Sequence, residues 1–213
     1  MATTLTYTTD STASFTASVA ITMVAYGAGG RGSLTGNGGS GGACAVTIKT
    51  FTGSLLITVG QATGSDGGDT YIKSGSVIIC RAPGGKHDGT IAHQAALLVG
   101  SALMTYGGQG SPDFVGYGSY NGAAGGAAGW ASGSGADGQS AFTSTRLSGA
   151  LGGTGQGGAG NGGSGAFLNG GPAVNFVEPA TVGAAPGGGG GGSYDYGADT
   201  SAAGAVGAVT LTF

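Results

Sequence analysis

Residues 152–166 read GGTGQ-GGAGN-GGSGA, three consecutive copies of Gly-Gly-x-Gly-x, in a chain where 53 of 213 residues are glycine. An ordered glycine costs roughly 0.5–1 kcal/mol relative to alanine, because it loses more backbone freedom on folding than any other residue. Such a chain uses glycine where nothing else fits, at positive φ or where backbones approach too closely for a Cβ. The second use becomes systematic in packed polyproline-II helices, which have three residues per turn. Each pentad places glycine at i and i+3, as a three-fold helix requires, but the five-residue period shifts that register at every copy. Tight glycine turns between short extended rungs fit the same letters. Collagen is excluded, since there is no strict Gly-X-Y frame and only five prolines occur.

Leu, Ile, Val and Phe make up 37 residues, about 17% of the chain, below the level of about 20% associated with disorder. Disorder also needs high net charge. The formal charge is only -3 and charged residues are 7% of the chain, so the sequence predicts a folded protein whose thin apolar core is extended by backbone packing. One domain is expected over 1–213: 1–105 mostly strand-forming, 106–204 a projecting glycine-rich excursion, and 205–213 a returning strand.

Short runs rich in Thr, Val and Ile, bounded by Gly or Ser, predict strands at 3–8, 18–26, 43–49, 54–59 and 76–81. Turns are expected at 49–53, 60–61 and 64–70. The final AVGAVTLTF alternates Val209, Leu211 and Phe213 with threonine, the signature of a strand that returns to the N-terminal sheet. Residues 91–104 give the one helical pattern, with Ile91, Ala95, Leu98 and Ala102 near helical spacing, but Gly100 interrupts it and the run reads equally as an extended buried segment. Between Gly107 and Gly192, 31 of 86 residues are glycine and ordinary strand or helix patterning is missing.

Charge and motif content narrow the function classes. Six Lys and Arg, only Arg146 of them beyond Lys86, supply no phosphate-neutralising stripe, so nucleic acid is not an expected partner. MATTLTYTTDS has neither a basic nor an apolar signal region, and no apolar run approaches about 20 residues, so neither secretion nor membrane insertion is expected. Cys44 and Cys80 read as buried small hydrophobes, with a disulfide left open.

Two histidines, one glutamate and eight aspartates are a poor stock for catalysis. Lys86-His87-Asp88 with His93 has a spacing that can bind metal but reads as a solvated polar loop. No Gly-x-Ser-x-Gly elbow and no P-loop is present. The expectation is no enzyme, no cofactor and no metal. Aromatic residues are the more informative set. Tyr106, Tyr117, Tyr120, Tyr194, Tyr196 and Trp130 lie in the glycine-rich half, and Pro112-Asp113-Phe114-Val115-Gly116-Tyr117 and Ser193-Tyr194-Asp195-Tyr196 read as loop tips. Such rings suit contact with sugars or a partner surface, and equally suit plugging gaps between segments that lack side chains.

The order of AITMVAYGAGGRG (20–32), CAVTIK with LLITVGQ (up to 61), GGDTYI (67–72), APGG (82–85), and PGGGGGGS (186–193) before GAVGAVTLTF resembles the glycine-rich proteins of bacteriophage tail fibres, adhesins and other virion components. The resemblance implies a mainly-β fold with a jelly-roll-like or β-sandwich base, long glycine-rich, partly polyproline-II-like segments, and little or no α-helix. It further implies a non-enzymatic virion structural protein, a fibre, spike or capsid decoration assembled in the host cytoplasm. Its partners would be copies of itself, with a trimer favoured, other virion proteins, and a host-surface glycan or outer-membrane receptor. The surface candidates are Tyr106, Asp113, Phe114, Tyr117, Tyr120, Trp130, Tyr194 and Tyr196. The irregular pentads and the alanines of AAGGAAGWA depart from the best-known adhesins. Two other classes fit the composition: an ice-binding protein with a flat Thr and Ala face, and a carbohydrate-binding module.

Overall fold

In the computed structural model, residues 1–33, 38–87, 101–110, 114–116, 119–121, 124–130, 132–138, 152–163, 167–169, 175–178, 180–192 and 201–213 are described. Every strand pairing is antiparallel, and no helix occurs among these residues. The fold is mainly β. Its main sheet has the order β1 (Thr4–Tyr7), β11 (Ala208–Thr212), β2 (Ser11–Tyr26), β3 (Cys44–Thr58), β4 (Thr70–Ser74), β5 (Val77–Ala82), with β6 (Ser101–Thr105) also pairing β3. A second sheet has the order β10 (Asn175–Glu178), β9 (Phe167–Asn169), β8 (Ser119–Asn121), β7 (Phe114–Gly116).

β2 and β3 form one long hairpin that bends. Between the pairs Phe15↔Gly53 and Val19↔Phe51, β2 carries Thr16, Ala17 and Ser18 where β3 carries only Thr52. Gly53 has φ 110°, a conformation that β-carbon sterics deny to other residues. A wide irregularity on one strand and a glycine on the other turn the ladder without breaking it. The turn expected at 49–53 is therefore a bend inside β3, and the separate strands expected at 43–49 and 54–59 are one.

The bend folds the sheet onto itself around its main apolar core. Ile21, Met23, Val209 and Leu211 come from one half and Leu55, Ile57, Ile72 and Ile79 from the other, and all are essentially fully buried. The Cys80 thiol on β5 donates to the Ala45 carbonyl on the first half of β3, at 3.7 Å, which places the two layers in contact. β3 alternates along most of its length, with Ala45, Thr47, Phe51, Leu55 and Ile57 inward and Ile48 and Leu56 outward. The cysteines are both buried and both free.

The helical pattern at 91–104 gives way at its C-terminal end: Ser101–Thr105 is β6, in register with Ile48 through Cys44. Near-helical spacing of Ala and Leu does not distinguish a helix from a strand whose residues alternate, and here the free flank of β3 supplied hydrogen bonds. Residues 88–100, with most of the expected helix, lie outside the described set. Strands β7 to β10 also stand where the glycine-rich stretch offered no strand pattern.

The glycine segments form a hydrogen-bonded bundle that continues the sheet. β2 runs directly into 27–33, 38–43 runs into β3, β5 into 83–87, β6 into 106–110, and 201–207 into β11. Segment 38–43 sits at its centre. Gly39 and Gly42 donate to Gly190 and Gly187, both at 2.8 Å; Ser40 and Ala43 donate to Lys86 and Pro83, both at 2.9 Å; Gly41 donates to Gly108 at 3.0 Å. Donors repeating at i and i+3 and fanning in three directions are what three residues per turn produces, so these segments have polyproline-II periodicity. Close approach is what glycine provides: a methyl on Gly42 would overlap the Gly27 carbonyl oxygen.

The pentads obey the same lattice. Gly157 and Gly158 have φ of 57° and 85° and make a turn closed by Ala159 N to Gln156 O at 2.9 Å. The arms on either side run antiparallel, joined by Gly162 N to Gly153 O at 2.8 Å. Gly160 and Gly163 then donate to Pro186 and Gly189, again three residues apart. One turn absorbs the register shift that a five-residue period implies.

Candidate functional site

Where the outer face of the sheet meets the bundle, a concavity of about 570 Å³ opens. Its wall is sheet: Thr6 of β1, Thr210 of β11 and Val24 of β2 are direct cross-strand neighbours. Its floor is apolar, with Tyr26, Ala208 and Pro186, and its lip is the pentad turn Gly157-Gly158. Trp130 supports that lip from behind: a methyl on Gly157 would come within 2.6 Å of its ring.

The site is electrically quiet. No charged side chain is among the described residues lining it, and Tyr26 is its one titratable group. Burial, followed by the neighbouring Cys44 thiol, pushes the Tyr26 phenol up to about 12. Burial, followed by Cys80, pushes Cys44 up to about 12 as well, and burial pushes Cys80 up to about 11. At neutral pH the phenol and both thiols are therefore uncharged. Threonine hydroxyls that donate and accept, above an apolar floor, suit an uncharged group with one apolar face.

Three polar clusters lie around the junction without lining the concavity. The Thr70 hydroxyl donates to the Tyr26 carbonyl at 2.7 Å and accepts from Gly60 N at 2.9 Å, fixing the end of β2 where it becomes bundle. Asp69 accepts from Arg81 Nε at 2.8 Å, the Tyr71 hydroxyl at 3.0 Å and Gly84 N at 2.9 Å. Nearer solvent, Asp66 accepts from Lys86 Nζ at 2.7 Å and lies 3.0 Å from His87 Nδ1. Burial opposes ionisation of Asp66, but hydrogen bonds from Lys86 and His87 outweigh it and lower its pKa to about 2. His87 thus faces a carboxylate; Asp88 and His93 lie outside the described residues. Among the described residues no group of three His, Cys, Asp or Glu is placed to hold a metal. No helix there is long and apolar enough to cross a membrane.

The aromatic candidates divide. Trp130 is half-buried, pairs with Gly133 through backbone bonds of 2.9 and 3.1 Å, and receives the Thr105 hydroxyl on its carbonyl at 2.7 Å. Its ring fills space that Gly133 and Gly157 leave open. Tyr106 is half-buried at the start of a bundle segment, its carbonyl accepting from Gly135 N at 2.9 Å. Phe114 and Tyr120 share the β7–β8 hairpin, opposite Asn121 and Val115. Asp113, Tyr117, Tyr194 and Tyr196 lie outside the described residues. Sequence reasoning missed Tyr26, Thr6 and Thr210, because nothing local tells a strand residue facing a cavity from one facing water. Comparison with models of known protein families and with curated proteins gives no match.

Proposed function

We propose that the protein is a non-enzymatic structural component of a bacteriophage particle, a fibre, spike or capsid decoration, that assembles with copies of itself and touches the host surface. The observation that carries this reading is the continuity of sheet and glycine bundle. Strands feed directly into a backbone-bonded lattice, giving a stiff body with few reactive side chains and leaving surface concavities and connecting loops for recognition. The uncharged concavity at Thr6, Tyr26 and Thr210 and the aromatic candidates of the glycine-rich half are the surfaces offered to a glycan or an outer-membrane receptor. Antibody labelling of purified particles tests the assignment: labelling at a fixed place on the particle is expected, and a protein absent from particles overturns it.

A second reading is favoured by one observation. Thr4, Thr212 and Thr22 stand side by side across β1, β11 and β2, next to the row of Thr6 and Thr210, and the Thr4 and Thr212 hydroxyls lie 3.3 Å apart. A threonine array on a sheet face suits binding to a flat ordered surface such as ice. A thermal-hysteresis assay tests it, and absence of activity at high concentration removes it.

A further inference from the structure

β1 closes one margin of the main sheet. β11 pairs with one of its flanks, and no strand among the described residues pairs with the other. Thr3 and Phe213 exchange both backbone hydrogen bonds, at 2.7 and 3.0 Å. The antiparallel ladder alternates from there, so Leu5 and Tyr7 turn their N–H and C=O toward β11 while Thr4 and Thr6 turn theirs outward. Such a row is a template for another strand, and folds ordinarily blunt it with charge, proline or a bulge.

β1 has none of these devices. MATTLTYTT contains no charged side chain and no proline, and the β1–β11 register is unbroken. The opposite margin, β5, contrasts on each point: it carries Arg81, ion-paired with Asp69, and its register with β4 shifts between Ile72 and Lys73. Leu5 adds an independent sign. It stands opposite Leu211, on the core side of the sheet, where Leu211 is fully buried, yet Leu5 is 38% exposed. A strand beyond β1 would cover it.

We infer that β1 pairs antiparallel with β1 of a second copy of this chain, about a two-fold axis passing beside Leu5. In that register Thr4 of one copy exchanges hydrogen bonds with Thr6 of the other, and Leu5 meets its own counterpart in the closer, non-hydrogen-bonded position. Leucine meets leucine on the core side, threonine meets threonine on the outer side, and no like charges face each other. The contact is closed, so it uses up the edge and propagates no further. The inference goes beyond the particle reading and holds wherever the protein works.

Native mass spectrometry of the wild-type chain is expected to show a dimer. Thr6→Pro removes an outward donor and no β1–β11 bond, so it is expected to weaken the dimer roughly tenfold or more while leaving the circular dichroism spectrum unchanged. Leu5→Cys is expected to form an interchain disulfide on oxidation and Thr8→Cys is not, because only position 5 opposes itself. A monomer or trimer at high micromolar concentration overturns the inference. So does a dimer that Thr6→Pro leaves intact. Should Thr6→Pro fail to fold, the comparison of Leu5→Cys with Thr8→Cys decides alone, and equal cross-linking of the two, or none, overturns it.

Discussion

The sheet and the glycine bundle are joined end to end yet are held by opposite means. In the sheet, Ile21, Met23, Leu55, Ile57 and Leu211 interlock and the backbone is spaced by side chains. In the bundle, neighbouring backbones bond to each other every third residue and the side chain is what must be left out. The sheet is thus sensitive to lost volume and the bundle to added volume. The obstacle in the bundle is a neighbour's carbonyl, which has no rotamer to change.

This contrast is broken or sharpened by five measurements. Ile57→Ala, which empties a fully buried site, is expected to destabilise by about 2–5 kcal/mol in denaturant melts. Gly42→Ala, at the centre of the bundle, is expected to cost about 3 kcal/mol, the upper end of overpacking, because its methyl meets the Gly27 carbonyl. A neutral Gly42→Ala would break the comparison, since alanine in an unobstructed extended segment stabilises slightly.

Thr70→Val keeps the shape of a buried side chain but leaves the Gly60 N–H without its acceptor and takes one donor from the Tyr26 carbonyl at the join. It is expected to cost about 1–3 kcal/mol, measured in the same melts. Gly158→Ala is the bundle's control. Nothing lies within 4 Å of the added methyl, and only the φ of 85° opposes it, so about 1 kcal/mol is expected; a loss as large as that of Gly42→Ala would show that backbone strain, not close approach, governs these glycines.

The smallest effect concerns Asp66. Its folded pKa of about 2 lies below its ordinary 3.8, so the grip of Asp66 on Lys86 and His87 is complete above pH of about 4 and is lost as pH falls through about 2. Hydrogen-exchange protection of the His87 amide, which donates to Asp66 at 3.0 Å, is expected to fall across that window, and in Asp66→Asn to show no such step.

Much of the sheet was legible in the letters. Val209, Leu211 and Phe213 alternate with threonine, and that strand does insert between β1 and β2. The bend at Gly53 was not legible as a bend, since a glycine between apolar runs signals a turn unless the partner strand compensates, and the compensating residues Thr16 to Ser18 lie far away in sequence. The letters leave β6 open between helix and extended segment for a related reason: the strand state of Ser101–Thr105 depends on β3 having a free flank. Of the site, the aromatic composition was visible but the concavity was not. Its wall, floor and lip come from positions as distant as Thr6 and Thr210.

The sequence by itself determined that this chain would be built on a thin apolar core and closely approaching backbone, because glycine at a quarter of its positions allows little else. The tertiary structure alone decided where the backbones meet. A glycine states that a neighbour is close but not which neighbour, and only the fold brings Gly39 to Gly190, Gly126 to Gly39, and the pentad turn against Trp130.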